Sequence, residues 1–253
     1  MLGLELVMAG HLLWHASASA TQAATCPVQK NARVDVKWHS EPIKYDNNRN
    51  TNSLNHTDID TENPYGTHVV TDVNGVMSGK ITFDSNVLTS SVRFPAEAVT
   101  CLWIDKVVVT IVVDPTIAIA AEYPEGTCKH SAILEHEHKH IAADLALVKD
   151  HLQAVRQAAS QAVQKVGMVG PKPIASAQEY KDKMTNYVLN AVKLQMDELY
   201  LDRSKRQKAI DTKEEYDRVE GVCPDKAKAT QEAAEAEKAA SEPSAITAIP
   251  GTR

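Results

Sequence analysis

Two hydrophobic periods divide the chain. Between Ala32 and Tyr123, apolar residues alternate with polar ones or gather in short runs rich in Val and Ile, a pattern typical of β-strands. The stretch from Tyr45 to Gly66 is rich in Asn and Asp, so we expect a long loop there. The predicted strands lie in the segments ARVDVKWH, GKITFDS, SVRFP, VTCLWIDKVVVTIVVD and TIAIAAEY.

From Ser131 the apolar residues recur at spacings of three, four and seven, which predicts a long amphipathic helix ending near VGMVGPKP. A second helix is expected to open at Ser176, which forms a capping box with Glu179, and a short third one at the capping box of Thr212 and Glu215. The predicted core stripe of the first helix is Leu134, Ile141, Leu145, Val148, Leu152 and Val155, and that of the second is Tyr180, Met184, Tyr187, Val188, Ala191 and Leu194.

These elements predict an α+β fold, in which a mainly antiparallel β region at the N-terminal side packs on two long antiparallel helices. We expect a single domain over residues 26–223. Residues 224–253 are biased to Ala, Glu and Lys and contain few large apolar residues, so we expect a disordered tail or a frayed helix.

Composition and the N-terminal segment bear on location. The net charge of −6 and the pI near 5.9 argue against nucleic acid or an anionic membrane as a partner, because both select a basic surface. Residues 1–20 form an apolar run that ends in small residues, which is typical of a signal peptide. We therefore expect a secreted or periplasmic protein of the bacterial envelope, with no membrane contact beyond that segment.

The chain has four cysteines. In an exported protein an even number of cysteines predicts disulfides, and four allow three pairings. We expect Cys101 to pair with Cys128, and Cys26 with Cys223.

The long helix contains His136-Glu137-His138-Lys139-His140, an HExxH motif. Residues four apart lie one turn above each other on a helix, so His136 and His140 can direct their imidazoles at one zinc ion. Glu137 lies one step around the helix, where it can serve as general base toward water activated by the metal. The motif predicts a zincin-like active-site helix, with one zinc ion and a peptide or protein substrate.

A catalytic zinc ion needs a third protein ligand and an open fourth position. Helical steps from the stripe of the second helix lead to Glu198 and then to Asp202, two acids at expected core-facing positions. This ExxxD pair resembles the gluzincin arrangement, which implies that Glu198 binds zinc and that Asp202 orients a ligand histidine. The residues before each acid, Asp197 and Leu201, depart from the full gluzincin motif. Asp202 and Asp144 are the alternative third ligands, and Glu198 could instead pair with a lysine or arginine.

The segments CLWIDKVVV, YPEGTC, the HExxH helix and AIDTKEEYDRV span about residues 98–223. Their arrangement resembles that of a group of bacterial secreted proteins predicted to be zinc-dependent proteases. The resemblance implies a zinc metallopeptidase outside the cytoplasm.

Two other functions fit the same residues. The His- and Glu-rich run from His130 to His140 could bind a metal ion without catalysis, or the helix could belong to an interaction module. Tyr200 and Tyr216 could each donate a hydrogen bond to a developing oxyanion or simply pack.

Overall fold

The computed structural model describes residues 23–28, 31–57, 63–66, 68–69 and 71–224. The predicted signal segment and residues 225–253 of the predicted tail lie outside these ranges. Within them the chain has a mixed α+β structure, as expected from the two hydrophobic periods. In this part of the chain, no helix is both long and apolar enough to cross a membrane.

Across the described ranges, seven strands form two sheets. They are β1 (Arg33–Ser40), β2 (Lys44–Asp46), β3 (Gly75–Met77), β4 (Lys80–Phe94), β5 (Val99–Asp114), β6 (Thr116–Ile119) and β7 (Val169–Pro173). The larger sheet has the order β1–β5–β4, with β7 also paired to β5, and the smaller sheet has the order β2–β6–β3. Pro115 separates β5 from β6, so one continuous apolar stretch supplies the central strand of both sheets. Proline interrupts the strand because it cannot donate a ladder hydrogen bond.

The strand pairing is mixed. β4 with β5, β5 with β7 and β3 with β6 are antiparallel, in keeping with the expected mainly antiparallel pattern, although β3 and β7 lie outside the predicted strand segments. β1 with β5 and β2 with β6 are parallel, which was not predicted from the sequence. Each parallel pair joins strands that are far apart in sequence, and alternation within a strand carries no information about such a distant partner.

In the part of the chain that the structure describes, four α-helices accompany the sheets: α1 (Thr51–Leu54), α2 (Cys128–Val166), α3 (Ala177–Lys208) and α4 (Lys213–Gly221). The side chain of Thr127 caps α2 by accepting from the backbone N–H of His130, and Thr212 caps α4 in the same way, as predicted. The predicted capping box at Ser176 is wrong, because the Ser176 side chain makes no capping hydrogen bond and the residue ends a 3₁₀ turn.

Helices α2 and α3 run antiparallel, since His140 contacts Gln207 while the later residue His151 contacts the earlier residue Asp202. Together they pack on the larger sheet and form the main core. Fully buried members of this core include Leu102, Ile104, Val107, Ile111, Leu147, Val148, Val188, Val192, Met196 and Leu199.

The buried row of α3 differs from the predicted stripe. Tyr187 and Leu194, both placed in that stripe, are 48% and 67% exposed. The residues that α3 does bury are Met184, Val188, Val192, Met196, Leu199 and Gln207. The true row is therefore rotated around the helix axis, and it ends at Gln207 rather than passing through Glu198.

Two disulfides connect distant parts of the chain, as the even number of cysteines predicted. The expected pairing is wrong: Cys26 pairs with Cys101, and Cys128 pairs with Cys223. Cys26 lies beside Gly170 at the β5–β7 end of the larger sheet, while α4 lies along the first turns of α2 and brings Cys223 to Cys128.

Candidate metal centre

Two imidazoles meet on the buried face of α2. His136 and His140 are four residues apart, so the helix places one a single turn beyond the other. Their Nε2 atoms are 3.2 Å apart, and the two residues are 8% and 6% exposed. The structure thus directs both rings at one point.

The third donor comes from the turn between α3 and α4. One carboxylate oxygen of Asp211, Oδ1, lies 3.2 Å from Nε2 of His136 and 3.1 Å from Nε2 of His140. Asp211 is only 8% exposed. It directly precedes the N-cap residue Thr212, so the start of α4 sets the position of the carboxylate.

These three donor atoms form a nearly equilateral triangle with sides of 3.1–3.2 Å. Ligands at the zinc–nitrogen and zinc–oxygen distances of about 2.0–2.1 Å in a tetrahedral site lie about 3.3 Å apart. The residues fit this requirement closely, and they form a buried group that could hold a metal ion.

Hydrogen bonds at the other ring nitrogens determine which nitrogens face the centre. Nδ1 of His140 donates to Oε1 of Gln207, and Nδ1 of His136 lies 3.3 Å from Oε1 of Glu215. Because both partners are acceptors, each Nδ1 can carry a hydrogen. Each Nε2 is then available to a metal ion through its lone pair or, without a metal ion, to donate a hydrogen bond to Asp211 when the ring is protonated. Such partners commonly orient ligand histidines in metal sites.

Gln207 is itself held in place. Its amide nitrogen donates to the backbone carbonyl of His140 at 3.2 Å and to Oδ1 of Asp144 at 2.7 Å. Asp144 also receives two hydrogen bonds from Arg203, at 2.9 and 3.0 Å. Asp144, one alternative third ligand, therefore supports His140 through Gln207 and lies outside the group of three donors.

The charges around the centre favour an ionised carboxylate. Burial by itself would raise the pKa of Asp211, but the hydrogen bonds from His136 and His140 hold that pKa below its ordinary value. Burial would likewise lower the pKa of His140, but the hydrogen bond and charge of Asp211 outweigh it and raise that pKa. Arg218, with Lys139 and His136, lowers the pKa of Glu215 to about 2 against the effect of burial.

Glu137 lies beside this centre and is 4% exposed. Burial raises its pKa to about 7, although the nearby charges of His136 and His140 act in the opposite direction. Gly75 of β3 lies directly against the Glu137 side chain. A Cβ added at Gly75 would be 2.8 Å from Oε1 of Glu137 and 2.3 Å from Cγ2 of Ile133, so the close approach of β3 requires glycine.

The centre opens into a cleft of about 420 Å³, which His136, Glu137, His140 and Asp211 line on one side. Residues 71–80, which include β3, line the other side. β3 is an end strand of the smaller sheet. Asn74 and Ser78 bond toward β6, and since backbone groups alternate along a strand, Gly75 and Met77 direct theirs away from β6. The backbone N–H of Met77 hydrogen-bonds to Glu137.

Glu198, expected as the third ligand, is not brought to the imidazoles. It is exposed on α3 and lines a separate shallow surface together with Ala158 and Leu194. Asp202 bonds to His151 and Arg206 on the same two helices, so it supports neither His136 nor His140. Asp211 stands in the place expected for Glu198, because the buried row of α3 leads to Gln207 and then to the following turn.

Asp211, Gln207 and Glu215 were not predicted as site residues from the sequence. The sequence did contain an indication of two of them. The segment AIDTKEEYDRV includes both Asp211 and Glu215, and the capping box of Thr212 and Glu215 predicted the start of a helix there. Of the two tyrosines, Tyr200 donates to the backbone carbonyl of Ile81. Tyr216 lines the cleft, with its ring centroid 5.7 Å from that of His136.

Comparisons with protein-family models, with curated proteins and with solved structures found no match to this chain.

Proposed function

We propose that this protein is a zinc-dependent peptidase in which His136, His140 and Asp211 hold one zinc ion and Glu137 is the general base. The observation that carries the proposal is the triangle of three buried donor atoms, 3.1–3.2 Å apart, with a buried carboxylic acid beside it. Both lie at the wall of a cleft bordered by an end strand.

The donor set suits zinc. Two neutral imidazoles and one carboxylate are a common combination in catalytic zinc sites, which keep a fourth position for water or substrate. The absence of a free cysteine among the described residues leaves no competing thiolate site for zinc in that part of the chain.

When bound, zinc supplies Lewis acidity, which activates water as a nucleophile at neutral pH. Glu137 then accepts a proton from the attacking water and delivers it to the leaving amine. Burial raises the pKa of Glu137 above its ordinary value, and a carboxyl group that holds a proton more readily is a better general base. Gln207 and Glu215 keep the imidazoles in the required orientation.

The substrate class follows from the strand beside the centre. An extended peptide can add to an end strand through main-chain hydrogen bonds, and β3 is an end strand that borders the cleft. Gly75 brings that strand against Glu137, so a peptide paired with β3 would pass its backbone directly over the general base.

We place this activity outside the cytoplasm. The described residues contain two disulfides, which persist in oxidising compartments such as the periplasm or the extracellular space. The apolar segment before residue 20 supports export by its sequence pattern alone.

The test compares Glu137→Gln with Glu198→Gln, a matched change at an exposed position of α3 away from the centre. With fluorescent casein and a mixed peptide library as substrates, we expect Glu137→Gln to lose about 100- to 10,000-fold in kcat/KM. Its zinc content should stay at one ion per chain, and Glu198→Gln should match the wild type.

Two results would contradict the proposal in different ways. Full activity of Glu137→Gln would remove Glu137 as general base. A zinc-loaded wild type that cleaves no peptide in the library would leave a non-catalytic metal-binding protein.

A further inference from the structure

A short arm of the chain supplies one of the three donors of the metal centre and one of the residues that orient the histidines. This arm, residues 209–223, runs from the end of α3 through α4 to Cys223. It carries Asp211, the third donor, and Glu215, which accepts from His136. Without the arm, His136 and His140 would remain on α2. Of the three residues Gln207, Asp211 and Glu215 that contact them, only Gln207 would stay in place.

The apolar attachment of the arm is small: Val219 packs against the buried cluster that includes Ile133, and the ring of Tyr216 lies beside that of His136. None of the residues of α4 is buried. Its contacts with the rest of the protein are mostly polar and partly exposed, such as those of Lys129 with Glu220 and of Arg218 with Glu135. Ion pairs of this kind contribute little stability, and a segment with few buried apolar contacts opens locally more easily than the core.

One covalent bond fastens the far end of the arm. The disulfide between Cys128 and Cys223 joins the end of α4 to the first residue of α2, the helix that carries His136 and His140. With this bond intact, the arm is tied at both ends. With it broken, the arm is tied only to α3.

The two disulfides differ in accessibility. Cys128 is exposed and Cys223 partly buried, whereas Cys101 of the other disulfide is completely buried and Cys26 partly buried. Thiol–disulfide exchange needs access of the attacking thiolate to a sulfur atom. A reductant should therefore reach the bond that fastens the arm before it reaches the bond that fastens the N-terminal segment.

We propose that the Cys128–Cys223 disulfide is a redox switch of the metal centre, whose reduction by a dithiol releases the arm and weakens zinc binding. The exchange transfers two electrons and two protons: the dithiol becomes a disulfide, and Cys128 and Cys223 become thiols. Release of the arm withdraws Asp211 and Glu215 from the imidazoles. The inference rests on the zinc site proposed above and adds its regulation.

The experiment uses the full chain and two paired variants. Cys128→Ser with Cys223→Ser removes the switch, and Cys26→Ser with Cys101→Ser is the matched control. Zinc affinity is measured by competition with a chromophoric chelator. We expect the first pair to bind zinc at least about tenfold more weakly than the wild type, as for loss of supporting groups in metal sites. The control pair should keep the wild-type affinity.

A second measurement does not depend on zinc. Amide hydrogen exchange of the metal-free wild type is followed before and after reduction with a phosphine. We expect residues 211–221 to exchange at least about tenfold faster after reduction, while residues 184–199 of the core keep their protection.

Equal protection of the arm in both states, or equal zinc affinity of the first pair and the wild type, would overturn the switch. Loss of protection throughout α3 on reduction would also overturn it, because the bond would then hold the whole fold together. Failure of the oxidised wild type to bind zinc would refute the proposed function, and the exchange measurement would still decide whether the bond holds the arm.

Discussion

The two ends of the α2–α3 helix pair bury side chains of opposite character. At the apolar end, residues 147–163 of α2 meet residues 184–199 of α3 through aliphatic side chains and methionines. At the polar end, residues 136–144 of α2 meet residues 203–211 and bury His136, Glu137, His140, Asp144, Gln207 and Asp211.

The difference shows what each end contributes. Burial of apolar side chains stabilises the fold without requiring a partner, whereas a buried polar or charged group costs stability unless it is hydrogen-bonded. The polar end meets this cost with a connected set of bonds from Arg203 through Asp144 and Gln207 to His140. Aliphatic side chains would pack there at lower cost, so the polar end is best explained by function.

The largest expected effect on stability lies at the apolar end. Met196 is completely buried, so Met196→Ala should lower the free energy of unfolding by about 2–5 kcal/mol. Leu194→Ala, two residues away and 67% exposed, should change it by less than about 0.5 kcal/mol. Urea unfolding of both variants tests this pair. Equal destabilisation would mean that the buried row of α3 is assigned incorrectly.

A smaller effect is expected at the polar end, and the quantity that should change there is the affinity for zinc. Gln207→Leu removes the acceptor that orients His140, and we expect zinc affinity to fall about 10- to 100-fold. Gln195→Leu, on the same helix but away from the centre, is the control. Chelator competition measures both, and identical affinities would show that Gln207 does not support the site.

The smallest effect is expected at Asp202, which lies between the two ends. A hydrogen bond from His151, together with the charge of Arg206, lowers the pKa of Asp202. A carboxyl group with a lowered pKa in the folded state stabilises the protein above its ordinary pKa of 3.8. That contribution disappears as the pH falls through the lower, folded-state pKa.

Asp202→Asn should therefore lower the free energy of unfolding at neutral pH by at most about 1 kcal/mol. The difference from the wild type should shrink in strongly acidic buffer. Urea unfolding at both pH values measures this, and zinc affinity should not change. A drop in zinc affinity as large as that of Gln207→Leu would place Asp202 in the metal site.

The sequence predicted the elements that depend on local pattern. The long helix with HExxH, the second helix, the cap at Thr212 and the Val- and Ile-rich strands all occur. His136, Glu137 and His140 come together because a spacing of four residues on a helix fixes their relative position. No distant part of the chain is needed to place them.

The sequence did not predict what depends on the rotation of α3 or on distant segments. A stripe that included Tyr187 and Leu194 led to Glu198, whereas burial follows Met184, Val188, Val192 and Met196. Because the predicted stripe differs from the buried row of α3 by about one position around the helix axis, it led to Glu198, which is exposed. The parallel strand pairs and the disulfide partners are also set by tertiary packing, which the periods of single elements do not encode.

The most direct test of the metal centre compares Asp211→Ala with Glu198→Ala. The zinc content of purified protein is measured by elemental analysis and the zinc dissociation constant by chelator competition. We expect one zinc ion per chain in the wild type and in Glu198→Ala, and a loss in Asp211→Ala that exceeds the about 100-fold upper range for supporting residues. Full retention of zinc by Asp211→Ala, or a wild-type protein without zinc affinity, would contradict a centre built from His136, His140 and Asp211.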